Sequence, residues 1–194
     1  IRGVSVPGLN EVVRGEETLL AGWLQQPTDS EAVFCLPGTH SKWIVAREGQ
    51  VNHLTTFMTG ELFELMRTRS ILAPLIDSQA VADSKSDIFS KGLTLAQSPA
   101  GLLHQMFAIR AGALTGQFAK SDVLTLLSGV LVGAECLAVK SLVQNRSVTL
   151  MSSGDLKQTY QNAFEHFGFV FSVADSEQAA QKGLFSIFNY IQQG

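Results

Sequence analysis

The chain has 194 residues, of which 45% are hydrophobic and 16% charged, a composition typical of a folded globular protein rather than a disordered one. Fourteen basic residues stand against 17 acidic ones and are scattered along the chain, which argues against a dedicated nucleic-acid-binding surface. The two cysteines, Cys35 and Cys136, lie in apolar segments and are expected to be buried free thiols, as in the reducing cytosol.

The first predicted element is a short helix that follows Arg14-Gly15-Glu16-Glu17 and carries Leu19, Leu20 and Trp23 on its apolar side. Two interpretations of its acidic residues are open. They are helix N-terminal acids stabilised by the macrodipole, worth ~0.3–1 kcal/mol each, or they are functional carboxylates. The residues alone favour the first interpretation.

A turn between two predicted strands is the strongest functional signal in the chain. Apolar residues 32–36 indicate a buried strand, Pro37-Gly38 breaks it, and strand patterns resume over 42–46 and 51–57. The turn offers backbone N–H groups and hydroxyls that can wrap an anion. The residues predicted to bind phosphate are Gly38, Thr39, His40 and Lys42. A plain turn and a solvated lysine are the alternatives.

The middle of the chain is predicted to be helical. Helices are expected over 60–70, 86–97, 102–114 and 122–143, with a polar loop over 77–87 and Ser121 as the cap of the last helix. Glu135 and Lys140 leave this last helix without the ~18 uncharged residues of a membrane span, so we expect it to be buried. Its glycines, Gly129 and Gly133, permit close packing against a neighbour.

The C-terminal third alternates between strands and helices. Strands are predicted over 147–151 and 169–174, and helices over 155–167 and 176–193, the last with Asp175 or Ser176 as its cap. This spacing implies parallel strands joined by right-handed crossovers. We therefore predict an α/β fold, a mixed sheet of three antiparallel and then two parallel strands with a helical insertion at about 60–120. This is the order of one ribonuclease-H-like lobe of the actin-like ATPases.

Four linked segments resemble the signatures of the 2-dehydro-3-deoxygalactonokinase family, in its order and at its spacing. They are Val13-Arg-Gly-Glu-Glu-Thr18, Leu36-Pro-Gly-Thr-His-Ser-Lys-Trp43, Met58-Thr-Gly-Glu61 and Leu127-Ser-Gly-Val-Leu-Val-Gly-Ala-Glu135. The resemblance implies ATP-dependent phosphorylation of the 6-hydroxyl of 2-dehydro-3-deoxy-D-galactonate in the cytoplasm. It also implies Mg²⁺ that arrives with ATP and is held mostly by water and phosphate oxygens. Neither nucleic acid nor membrane is expected as a partner, and a homo-oligomer is left open.

The resemblance assigns roles to individual residues. It makes Glu16, with Glu17 as the alternative, the base that accepts the proton of the sugar hydroxyl, and Arg14, Thr59 and Glu61 contacts of the sugar acid. Surface ion pairing of Arg14 and a first-turn helix acid at Glu61 are the alternatives. The residues implied for adenosine binding are Ser152, Ser153, Gly154, Gly129 and Gly133. The four histidines are isolated in sequence and predict no metal site of their own.

One departure from the family affects the expected domain organisation. Members begin with a further lobe of about a hundred residues that carries an Asp-x-Gly phosphate motif, and nothing equivalent is present here. We expect residues 1–25 to be a remnant of the inter-lobe segment and hinge helix. Residues 26–194 would form the C-terminal nucleotide-binding lobe, inactive without its partner lobe.

Two other functions remain open at this stage. The first is a kinase for another sugar or sugar acid, because the acceptor pocket would be shared with the other lobe. The second is a regulatory lobe that binds ATP without transferring phosphate. The presence of both Glu16 and the Gly38-Thr39 turn argues against the second, because a pure binder has no need of the acid.

Overall fold

The computed structural model describes residues 4–5, 11–23 and 31–193. Its strands are β1 Val4–Ser5, β2 Val12–Val13, β3 Ala32–Leu36, β4 Ser41–Arg47, β5 Gln50–Phe57, β6 Val148–Met151 and β7 Phe171–Ala174. Its helices are α1 Glu16–Trp23, α2 Thr59–Arg69, α3 Asp87–Ala96, α4 Gly101–Leu114, α5 Val123–Val143, α6 Gly154–Phe167 and α7 Ser176–Gln193. Short 3₁₀ turns cover Ala73–Leu75 and Lys120–Asp122.

A five-stranded sheet in the order β5-β4-β3-β6-β7 forms the centre of the fold. The β3–β4 and β4–β5 pairs are antiparallel, and the β3–β6 and β6–β7 pairs are parallel. The predicted mixed sheet is therefore confirmed. The central strand β3 is apolar throughout because it is covered on both faces, as its run of buried residues Val33, Phe34 and Cys35 shows.

The side chains of β3 alternate between two cores. Val33 and Cys35 pack on one face with Trp43, against α3, α5 and α6, whereas Phe34 and Leu36 pack on the other face near α1. A third cluster joins α4 to α5 beyond the sheet. The site described below is lined by residues of all three clusters.

The long helix α5 is a core helix. With the turn that precedes it, residues Lys120–Val143 have the length and composition of a membrane span, but 78% of the most apolar window is buried inside this protein. Added Cβ atoms would lie 2.5 Å from the Phe89 carbonyl oxygen at Gly129 and 2.7 Å from the Ala96 Cβ at Gly133. The predicted close packing of these glycines is confirmed, and α3 is the neighbour.

Helix ends follow local chemistry in most places. Gly168 ends α6 in the left-handed conformation at φ +72°, and Asp175 caps α7 by accepting from the N–H groups of Glu177 and Gln178 at 2.8 and 3.1 Å. The prediction of Ser121 as the cap of α5 is wrong. The chain there turns through a 3₁₀ segment, and Asp122 occupies the cap position without a side-chain bond.

Helices α1 and α7 touch backbone to backbone. An added Cβ on Gly183 would lie 1.8 Å from the Thr18 carbonyl oxygen, and one on Gly22 would lie 2.1 Å from the Ala179 carbonyl oxygen. Glycine is therefore required at both positions for this approach. The crossing fixes Glu16, the first residue of α1, relative to the C-terminal helix.

Candidate active site

The predicted phosphate-binding turn joins β3 to β4, and the start of α2 packs directly on it. A Cβ on Gly60 would lie 2.5 Å from the Gly38 carbonyl oxygen, so only glycine fits there. The N–H of Glu61 donates to the Thr39 carbonyl at 3.0 Å. The turn is thus anchored to a helix while Thr39 and His40 stay exposed.

Glu16 faces the turn and is held there by a buried lysine. Its Oε1 lies 3.0 Å from Lys42 Nζ, and its Oε2 accepts from the Arg14 N–H at 2.8 Å. Burial raises the pKa of this carboxyl, but the backbone N–H groups of Glu16 and Arg14 together with Lys42 outweigh burial and lower the pKa below its ordinary value. Glu16 is therefore a carboxylate at neutral pH.

A second pair flanks the turn on its exposed side. His40 Nε2 lies 2.6 Å from Glu61 Oε2, with 49% and 38% of the two side chains accessible to solvent. Glu61 belongs to the first turn of α2, so the pair also joins the turn to that helix. His40 is in this way held at the mouth of the site.

Beneath the turn lies a carboxylate that sequence reasoning did not single out as functional. Glu135 of α5 is only 2% exposed. It accepts from Ser41 Oγ at 2.6 Å, from Trp43 Nε1 and the Tyr160 hydroxyl at 2.8 Å each, and from the Thr59 hydroxyl. Its sequence signal was an acidic residue in the middle of an otherwise apolar helix. Such a residue, when buried, requires hydrogen-bonding partners.

Two cavities meet at the turn. One, of about 310 Å³, lies between α2, α5 and α6 and is mainly apolar, with Phe63, Leu131 and Val132 in its wall. The other, of about 380 Å³, is more polar. It is lined in part by Glu16, Thr39, His40, Ser152 and Ser153. Gly38 and Leu156 line both cavities. The two cavities therefore adjoin each other at Gly38 and Leu156.

The structure brings six of the fourteen predicted site residues together in one cavity. The polar cavity collects Glu16, Gly38, Thr39, His40, Ser152 and Ser153. Gly154 opens α6 at φ +58° directly after these serines, and Ser153 provides no side-chain cap to the helix. The free N–H groups at the start of α6 thus lie at the rim of the polar cavity.

Other predicted residues have different surroundings. Gly129 and Gly133 pack closely against α3 and line neither cavity, and their adenosine contact stays a prediction. Lys42 is 4% exposed, with its ammonium on Glu16 and the His40 carbonyl. It acts on the turn from below instead of lining the cavity.

The residues predicted to contact the sugar acid do not converge on one cavity. Thr59 lines the apolar cavity, but its hydroxyl is engaged by Glu135. Glu61 is bound to His40, and Arg14 is exposed, with its backbone N–H on Glu16. The side chain of Glu17 lies outside the described residues. Within the described part of the chain, no group of three or more His, Cys, Asp or Glu side chains forms a metal site.

Comparison with known proteins identifies relatives along almost the whole chain. The profile of the family described as 2-keto-3-deoxy-galactonokinase matches residues 1–187. The "2-dehydro-3-deoxygalactonokinase" of Escherichia coli (strain K12) is 32% identical over 190 residues, which are 94% of this chain and 63% of the relative. The "Probable 2-dehydro-3-deoxygalactonokinase DgoK1" of Rhizobium meliloti (strain 1021) is 34% identical over 178 residues, 90% of this chain and 58% of the relative.

A solved structure shares the fold. The "Crystal structure of a putative 2-dehydro-3-deoxygalactonokinase protein from Sinorhizobium meliloti" superposes with a TM-score of 0.86 at 28% sequence identity. The match covers 97% of this chain and 69% of the other. The chain described here spans about three fifths of the length of its two curated relatives.

Proposed function

The chain belongs to the 2-keto-3-deoxy-galactonokinase family, and from this premise we propose that it is the nucleotide-binding lobe of an enzyme that phosphorylates 2-dehydro-3-deoxy-D-galactonate on its 6-hydroxyl with ATP. The observation that carries the proposal is the convergence of Glu16 and the Gly38-Thr39 turn on one polar cavity. A carboxylate beside an anion-binding turn is what transfer of a phosphoryl group to an alcohol requires.

The two connected cavities support one placement of ATP. The adenine fits the apolar cavity of about 310 Å³, which is within the size range of ligand pockets. The phosphates then pass Gly38 into the polar cavity. There the backbone N–H groups of the turn and the open N-terminus of α6, behind Ser152 and Ser153, stabilise negative charge.

Glu16 is the proposed acceptor of the proton from the 6-hydroxyl. Its lowered pKa keeps it deprotonated, and Lys42 and the Arg14 N–H hold it in one orientation. Because phosphoryl transfer has a loose transition state, orienting the hydroxyl matters at least as much as basicity. Glu17 stays the alternative base, and Arg14 is proposed to bind the carboxylate of the sugar acid through its guanidinium.

The residues present fit a magnesium ion that arrives with ATP. Glu16 and Glu61 flank the turn, but each is already paired, with Lys42 and His40 respectively. We therefore propose that water and phosphate oxygens supply most of the ligands, the arrangement that Mg²⁺ commonly adopts with nucleotides. The bound ion would neutralise charge on the transferred phosphoryl group.

The lobe organisation and the location in the cell belong to the same proposal. A further lobe that carries the Asp-x-Gly motif and closes over residues 26–194 is proposed to complete the enzyme and to exclude water, which competes as a phosphoryl acceptor. The lengths of the two relatives support this view. The free, fully buried Cys35 and Cys136 support a cytoplasmic location.

The first test is ADP release from MgATP with 2-dehydro-3-deoxy-D-galactonate, measured for this chain and for the polypeptide extended by the proposed lobe. Activity of the extended protein supports the proposal. If the gluconate epimer is used better, the substrate assignment is wrong. If the extended protein is folded and binds ATP but phosphorylates neither epimer, the sugar-acid kinase proposal fails.

The second test is Glu16→Gln in the extended protein. We expect turnover to fall by about 10²–10⁴-fold because the general base is lost, while the dissociation constant of ATP changes little. Glu31→Gln is the matched control, since Glu31 is a surface glutamate paired with Arg146 on another side of the fold. An unchanged turnover in Glu16→Gln would remove Glu16 from the mechanism.

A further inference from the structure

Glu135 is a buried carboxylate whose described hydrogen-bonding partners are all neutral. Both oxygens are satisfied by neutral donors, Ser41 and Trp43 on Oε1 and Thr59 and Tyr160 on Oε2. Among the described side chains, no lysine or arginine forms an ion pair with it. Taking a carboxylate out of water costs several kcal/mol, so this arrangement is retained only where all lone pairs find partners.

The four donors come from three elements, two of which, β4 and α6, are also joined by the Tyr160 and Ser41 hydroxyls at 3.3 Å. Ser41 and Trp43 lie at the start of β4, immediately after the turn that joins β3 to β4, the proposed phosphate turn. Thr59 is the first residue of α2, and Tyr160 lies in α6. The carboxylate itself belongs to α5. One buried group therefore joins β4, α2 and α6 to the long helix at a single point.

This point lies directly behind the proposed nucleotide site. Thr59 and Tyr160 line the apolar cavity, and Ser41 is the residue that follows His40 at the end of the turn. The turn is thus fixed from behind by Glu135 and from the side by α2. A shift of one of these elements changes both the width of the cavity and the direction of the Gly38 and Thr39 backbone.

We propose that Glu135 is a positioning residue for nucleotide binding, which holds the phosphate turn, α2 and α6 in the geometry that receives ATP. The inference rests on the proposed function and deepens it. Simple stabilisation of the fold does not require the charge, since well-packed apolar residues commonly replace buried ionic groups without loss of stability. Positioning requires the charge, because four directed hydrogen bonds to one carboxylate fix orientation as well as distance.

The test measures the affinity of the extended protein for AMP-PNP with Mg²⁺ by calorimetry, well below the melting temperature of every variant. Glu135→Gln turns one acceptor oxygen into a donor, and we expect affinity to fall at least about tenfold, as for loss of a hydrogen bond to a charged group. Thr59→Val removes one donor and should weaken binding by about three- to tenfold. Thr59→Ser keeps the hydroxyl and should restore affinity.

Val139→Ala is the matched control for stability. Val139 is 2% exposed, lies one turn further along α5 and belongs to the same core, and its apolar side chain forms no hydrogen bond with the carboxylate. It should lower the melting temperature while leaving AMP-PNP affinity close to that of the wild type. The double variant Glu135→Gln/Thr59→Val should bind no more weakly than Glu135→Gln alone, because both changes remove the same contact.

The outcomes separate this inference from the proposed function. If the wild type binds AMP-PNP and both Glu135→Gln and Thr59→Val bind it equally well, Glu135 does not position the site and only this inference is overturned. If Val139→Ala also loses affinity for AMP-PNP, in step with its lower melting temperature, the role of Glu135 is only structural and the inference is overturned. If the folded wild type does not bind AMP-PNP, the proposed function and this inference are both overturned. Should Glu135→Gln not fold, the comparison of Thr59→Val with Thr59→Ser decides.

Discussion

Glu16 is a partly exposed carboxylate held in place by a buried cation. The sequence marked it as one of two acids before a helix, and could not distinguish a helix cap from a catalytic group. The structure adds a buried lysine, Lys42, at 3.0 Å and a shared cavity with the turn. A lysine that is 4% exposed and paired with a partly exposed glutamate directs that glutamate toward the cavity.

The lowered pKa of Glu16 predicts a pH dependence of stability. Because the folded pKa lies below that of the unfolded chain, ~4.3, the ionised carboxylate stabilises the fold fully above that value and loses its contribution as the pH falls through the folded pKa. Urea unfolding of the wild type and Glu16→Gln should therefore differ at pH 7. The difference should shrink below about pH 4. A difference that stays constant down to pH 3 would contradict the assigned pKa shift.

Long-range hydrogen bonds show what residue patterns cannot reveal. Ser41 and Glu135 are 94 positions apart, and Thr59 and Glu135 are 76 apart. Periodicity and turn signals are local, so they identified Glu135 as an interruption of an apolar helix without indicating its partners. Only the fold brings the four donors to it.

At the scale of elements, local signals predicted most of the fold. The three antiparallel strands and the final strand–helix alternation lie within a few residues of their predicted bounds, because Gly and Pro turns and capping residues mark their ends. The sequence did not predict the β1–β2 pair, since strands of two residues are too short to show an alternating pattern. For Gly129 and Gly133 the sequence predicted both close helix packing and a ligand contact, because a glycine for either role looks the same in sequence, and the structure shows the packing.

The contact between α2 and the phosphate turn predicts a large effect of one methyl group. Gly60→Ala places a Cβ 2.5 Å from the Gly38 carbonyl oxygen and 2.8 Å from the Thr39 Cα, both backbone atoms. We expect a loss of ~1–3 kcal/mol in the free energy of unfolding, as for overpacking.

Gly38→Ala is the matched control for this prediction. A Cβ at Gly38 meets no atom within 4 Å, so its effect on the free energy of unfolding should be well below that of Gly60→Ala. Denaturant unfolding curves of both variants make the comparison. Equal losses would mean that the contact with the turn does not determine the cost at Gly60, since helix propensity alone favours alanine there.

For the whole molecule, the two cysteines report on global opening. Cys35 and Cys136 are fully buried on the core side of the sheet, and burial, with the charge of Glu135 as a second cause, raises the pKa of both thiols well above its usual value. A buried, protonated thiol reacts poorly. Both should therefore be labelled by a disulfide reagent only when the core opens.

Labelling kinetics with and without AMP-PNP check this expectation in the extended protein. Saturating nucleotide should slow labelling in proportion to 1 + [L]/Kd, about a hundredfold at 100 times the dissociation constant. A Ser90→Cys variant, with an exposed thiol on α3, is the positive control and should react at once in both conditions. Immediate reaction of both native thiols would contradict the structure of the core.

The position of Trp43 has an optical consequence. Its ring is fully buried against Phe164 and Phe169, with centroids 5.6 and 6.2 Å away, and its N–H is bound to Glu135. Trp23 is the only other tryptophan in the sequence, so Trp23→Phe leaves Trp43 as the sole indole emitter. Tryptophan fluorescence then comes from one site beneath the turn, where the indole N–H donates to the Glu135 carboxylate. The proposed binding of nucleotide can in this way be tested in real time without an attached dye.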